Sequence, residues 1–199
     1  MPNQTKKGNQ VNKVYQKYLP EYLSTKKYVW MKTPDLASLI LDGCKKTFPQ
    51  YTFAKSSSSF ANGSSVTIYL QTGWETISEE DKKEINRFIN QYSGAGFDGM
   101  IDYKFYKDIW ITPDGLVEQA KSEGSACTGG YYEKYSYQPT NPDSILVSSG
   151  AWVSFNSNPK YGTKPYDAYR EYCNKKYNQP QEGVAAWKTK KQKLFYHYL

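Results

Sequence analysis

The sequence predicts an α+β domain: an antiparallel sheet with helices packed on one face, extended at both ends by basic helices. Three observations carry this. Short runs alternate apolar and polar residues as strands do. Longer segments repeat apolar residues every three or four positions behind capping residues. Tight turn pairs such as Asn62–Gly63 separate successive strand-like runs.

Taken in order, Val11, Val14, Tyr15, Tyr18 and Leu19 recur at helical spacing, with Lys13 and Lys17 on the other side. Pro20 is expected to stop this helix, which docks either on this domain or on a partner. Thr33 is expected to cap the next helix, with Pro34 and Asp35 in its first turn. Leu36, Ile40, Cys44 and Phe48 form its apolar stripe, so Cys44 reads as a core thiol, and Pro49 ends it.

YTFAK (51–55) and SVTIYLQ (65–71) alternate as strands, and Ser56–Ser59 between them read as a loose edge or a loop. Ser78 caps a helix to about residue 92, with Ile85, Phe88, Ile89 and Tyr92 as its buried stripe. Gly94 and Gly96 are expected to turn the chain into a strand over 100–106, answered by DIWIT (108–112). After Pro113–Asp114–Gly115 a short helix is expected to about 122. SILV (145–148) and AWVSF (151–155) read as a hairpin around Ser149–Gly150. Tyrosines at 166, 169, 172 and 177 mark another helix. A last helix over 183–199 places Val184, Trp187, Leu194 and Tyr198 on one side.

Charge divides the chain into three parts. Residues 1–33 carry a net +6, residues 34–155 a net −5 and residues 156–199 a net +6, which give the overall +7. The expected organisation is therefore a basic N-terminal helical extension (1–33), an α+β core (34–155) and basic aromatic C-terminal helices (156–199). Basic ends suit phosphate backbones or acidic protein surfaces, or they fold back on the acidic core. Arg87 and Arg170 are the two arginines among 26 basic residues, which favours lysine–phosphate contact over reading of guanine edges.

Three widely spaced cysteines and one histidine, His197, argue against a zinc site, a disulfide framework and histidine-dependent nucleophilic catalysis. No metal and no cofactor are expected. No run reaches the length of a membrane span and the N-terminus lacks an apolar leader block, so no membrane contact and a cytoplasmic location in a bacterial host are expected. Asp98 and Asp102 are a carboxylate pair in the glycine-rich GAGFDGMID stretch. Four strand residues would separate them by roughly 13 Å, so a turn and a strand start is the favoured reading over catalysis. CTGGYY is not placed as a phosphate loop. Tyr131, Tyr132, Tyr135 and Tyr137 read as alternating strand faces, or as rings for base stacking. The binding residues expected are Trp187, Lys188, Lys190, Lys191, Lys193 and Tyr196 at the C-terminus, with Lys13 and Lys17 at the N-terminus.

Residues about 28–106, including LILDGCKKTFPQYTFAKSSSSFANGSSVTIYLQTG and GFDGMIDYKFY, resemble a large polyvalent-protein-associated domain of phages and conjugative elements, the type with the FDGMID motif. GAWVSF resembles the same family's later strand. Where the family's strand ends in "DGP", this chain reads QTGWETIS. The resemblance implies a mobile-element origin and no active site. The function expected on that basis is non-enzymatic: a counter-defence protein that binds and inhibits a host defence nuclease or its ribonucleoprotein complex, most concretely an anti-CRISPR protein. The alternative is a sequence-nonspecific DNA- or RNA-binding accessory protein of the element. An enzyme working through Asp98 and Asp102 ranks last. Oligomeric state is left open.

Overall fold

The computed structural model describes residues 11–61, 63–98, 103–106, 108–118, 121–122 and 137–178. Their architecture is α+β. Four helices, α1 (Lys13–Thr25), α2 (Thr33–Thr47), α3 (Glu79–Asn90) and α4 (Lys164–Asn178), accompany ten short strands. In chain order the strands are β1 (Val29–Trp30), β2 (Phe53–Phe60), β3 (Gly63–Leu70), β4 (Ala95–Asp98), β5 (Tyr103–Tyr106), β6 (Ile109–Ile111), β7 (Lys121–Ser122), β8 (Tyr137–Gln138), β9 (Ile145–Ser148) and β10 (Ala151–Asn156).

Two three-stranded sheets organise the domain, in the orders β1-β9-β6 and β10-β3-β2. Each is mixed where antiparallel pairing was expected: β1 runs parallel to β9, and β10 parallel to β3. The expected hairpin of SILV and AWVSF is not formed. β9 belongs to one sheet and β10 to the other, with Gly150 between them at φ 58, a left-handed backbone that glycine adopts without strain. DIWIT likewise pairs with β9, while β5 pairs with β4. Gly96 lies inside β4 and not in a turn. In place of the short helix after Gly115, Val117 bridges back to Ile111 and residues 121–122 form β7.

β3 alternates buried and half-buried side chains along its whole length, with Val66, Ile68 and Leu70 facing inward. Phe53, Ala151 and Val153 share that inner face through register, and α2 and α3 pack against it. Ser56–Ser59 continue β2 as a regular edge strand. Backbone pairing to β3 holds these serines in the strand, and exposure suits their polar side chains.

Pro20 does not stop α1, which continues to Thr25. The proline is exposed, and Tyr15, Tyr18 and the half-buried Tyr22 carry the packing face past it. Burial of that face outweighs the lost amide donor. Asn12 caps the helix, accepting from the Val14 amide at 2.8 Å and the Tyr15 amide at 3.3 Å. α1 thus docks on this domain, and Val14, Tyr15 and Tyr18 join the core. Lys32, not Thr33, occupies the cap position of α2, and no side chain caps that end. Ser78 caps α3 as expected, accepting from the Asp81 amide at 3.0 Å.

Cys44 is fully buried, and desolvation pushes its thiol up to about 12, which makes it an inert core group. Gly43 beside it permits a close approach of α3. A methyl there would lie 2.7 Å from the Tyr92 hydroxyl and 3.1 Å from the Phe88 ring.

Candidate interaction surface

Of the residues singled out for binding, Trp187, Lys188, Lys190, Lys191, Lys193 and Tyr196 lie outside the described residues, as do Asp102, Tyr131, Tyr132 and Tyr135. Asp98 ends β4, with its backbone opposite Tyr103. Lys13 is exposed at the start of α1. Lys17 is engaged within the protein: its ammonium pairs with Asp35 at 2.5 Å, joining α1 to the first turn of α2. Asp35 also accepts from the Tyr18 hydroxyl at 2.7 Å. Burial on its own would raise the Asp35 carboxyl. The Lys17 and Tyr18 hydrogen bonds, with the Lys17 and Lys32 charges, overcome that and leave it below the ordinary carboxylate value.

Three exposed aromatic residues, Tyr161, Tyr172 and Tyr177, lie in α4 or just before it. Its tyrosine spacing produces a helix, yet no described side chain of α4 is buried. The helix is held to the core by a small set of contacts. Thr163 Oγ1 donates to Gln71 Oε1 at 3.1 Å, and Lys160 Nζ donates to the Lys55 carbonyl at 3.0 Å. An aromatic seam adds to these. Tyr161, Tyr166, Tyr169, Trp74 and Tyr172 form a continuous chain of rings, with successive centroid separations of 5.1, 6.2, 5.2 and 5.4 Å. Trp74 meets Tyr169 and Tyr172 edge to face, the geometry the ring quadrupoles favour.

This seam is open to solvent at both ends. Tyr161 is 80 % exposed, Tyr177 79 % and Tyr172 42 %. Lys176 Nζ lies 5.7 Å from the Tyr172 ring centroid, a cation over an aromatic face. The Cys173 thiol one turn along, and then partial burial, push the Tyr169 hydroxyl above the ordinary tyrosine value, so it stays a neutral donor. Chemically, the seam offers apolar ring faces, phenolic hydroxyls and ammonium groups, which suit binding. Among the described residues no group of three His, Cys, Asp or Glu side chains could hold a metal ion. No described helix is long and apolar enough to cross a membrane.

Sequence reading found the α4 tyrosines but missed Trp74, their partner on the core. The signal was available: a tyrosine stripe without aliphatic residues needs an aromatic counterpart, and Trp74 stands alone in a turn after Gly73.

The family model for large polyvalent protein associated domain 29 matches residues 31–133, just over half of the chain. The chain belongs to this family. It is accordingly a phage- or mobile-element-associated protein. No curated protein and no solved structure matches the chain. The family span includes α2, β2, β3, α3 and Trp74, and leaves α1, β9, β10 and α4 outside it. Within the matched span, Trp74 and Gln71 of the stretch QTGWETIS meet α4 and Thr163 just before it.

Proposed function

We propose that the protein is a non-catalytic counter-defence protein of a phage or mobile element, which binds and inhibits a host nuclease complex, most concretely as an anti-CRISPR protein. The observation that carries this reading is the α4 seam: five linked rings, three of them on a helix with no described buried residue, lie beside a lysine of that helix. Aromatic rings left half open on a charged helix are the composition of a binding face, where tyrosine is enriched. Family membership supplies the setting in which such a partner would be met.

The test is phage plating on bacterial strains that each carry one defined DNA-cleaving defence system, with the protein expressed in the host. Restored plaque formation on a defended strain, lost with the Tyr172→Ala/Tyr177→Ala double variant, is the expected result. Absence of restoration on every strain of the panel, with the protein confirmed as expressed and folded, overturns the reading.

A further inference from the structure

The distribution of charge around α4 narrows what its seam can hold. At about 100° per residue, Tyr166, Tyr169, Arg170, Tyr172, Lys176 and Tyr177 fall on one side of the helix. Asp167 and Glu171, its two acidic residues, fall on the other. The ring-bearing side of α4 therefore carries cations and no carboxylate. An acidic, apolar-poor partner with flat faces meets that requirement, and one polymer has both properties in every repeat unit: an unpaired polynucleotide strand. Its phosphates pair with Lys176 and Arg170, and its bases offer π-faces to tyrosine.

We propose that the α4 seam binds single-stranded nucleic acid, with bases stacking on Tyr161, Tyr172 and Tyr177 and the backbone neutralised by Arg170 and Lys176. Edge-to-face contacts among the inner rings fix the platform, and exposure of the outer rings leaves their faces available. Recognition is independent of sequence in so far as stacking carries it, because stacking accepts every base. This deepens the reading above by naming what the seam grips, and it rests on the same surface.

The experiment is fluorescence anisotropy with the full chain and labelled oligo-dT, oligo-rU and a matched duplex, at about 50 and 200 mM salt. Single strands are expected to bind at least about tenfold more tightly than the duplex. Tyr161→Ala and Tyr177→Ala are each expected to weaken binding roughly 5- to 100-fold, with Tyr161→Phe and Tyr177→Phe near the parent. Lys176→Ala should flatten the salt dependence. Both tyrosines are highly exposed, so these variants leave the core intact. The relative strength of the dT and rU arms identifies DNA or RNA as the ligand. Equal duplex binding, no binding at low salt, or alanine variants that bind like the parent would overturn the proposal. Oligonucleotide binding and phage plating fail independently: a strand-binding protein that restores no plaques keeps this inference and loses the counter-defence reading.

Discussion

Tyr18 and Asp35 are joined by a 2.7 Å hydrogen bond that fastens α1 to the first turn of α2. The same tyrosine oxygen accepts the Lys32 amide at 3.0 Å, so one hydroxyl serves both the carboxylate and the backbone at the uncapped end of α2. Burial, followed by the neighbouring carboxylate, pushes that hydroxyl up to about 12. Tyr18→Phe keeps the ring and removes both bonds. It is expected to cost about 1–3 kcal/mol in denaturant unfolding, since the Lys32 amide is left without its acceptor. A change below about 0.5 kcal/mol would show that water replaces the hydroxyl.

Asp35 also sets an expected acid limit. Its carboxyl lies below the ordinary value of 3.8 in the folded protein, so the unfolded chain takes up the proton first as pH falls. The stabilisation is therefore complete above about pH 4 and is lost as pH drops through the folded value. Thermal melts between about pH 2 and 5 should show a shallower decline for Asp35→Asn than for the parent, with the variant less stable at neutral pH. Parallel curves would assign the acid limit to other carboxylates.

Gly43→Ala tests the approach of α3 to α2. The new methyl would stand 2.7 Å from the Tyr92 hydroxyl, which itself donates to the Gly115 carbonyl at 3.1 Å in a fully buried position. The ring cannot retreat without breaking that bond. A loss of about 1–3 kcal/mol is expected, the usual cost of overpacking, although alanine is the better helix former. An unchanged or raised midpoint would show that α3 shifts freely.

Trp74→Ala tests the seam. Two edge-to-face pairs of about 0.5–1.5 kcal/mol each end at this ring, which is half-buried and packs against the margin of the core cluster without belonging to its fully buried set. Hydrogen exchange should accelerate about 5- to 100-fold across residues 164–178 and remain unchanged in β3 and β9. Uniform acceleration would make α4 part of the cooperative core.

Pro20→Ala measures what tertiary packing overrides. Interior proline costs a helix about 3 kcal/mol relative to alanine, and Pro20 is exposed within α1. Relief of up to about that amount, read as a raised unfolding midpoint, is expected. No gain would mean that α1 bends at this point at no cost.

Pro20 also shows where sequence reading stops. A breaker is visible in one dimension, whereas the tyrosine face that carries the helix past it is settled by what lies opposite. The same division runs through the chain. Helices with a cap and an apolar stripe, such as the one behind Ser78, were legible, as was the strand period at Val66, Ile68 and Leu70. Pairing was not. Ser149–Gly150 looks like a hairpin turn, because nothing local distinguishes a turn within one sheet from a crossing between two. The α4 tyrosines were legible as a helix, but their role depends on Trp74, about ninety residues away in the chain. Lys17 looked like a free cation until Asp35 stood beside it.

The crossing at Gly150 has a consequence for synthesis. β9 is the middle strand of one sheet, and β10 is the parallel partner of β3 in the other. Both are encoded in a single stretch of twelve residues, 145–156, that leaves the ribosome after all the other described strands. Until then β1 and β6 have no neighbour to join them, and β3 has only β2. The nascent chain must keep Val66, Ile68 and Ile111 from aggregating while it waits for a late segment that closes both sheets at once. A ribosome stalled before residue 145 would release a protein with neither sheet complete.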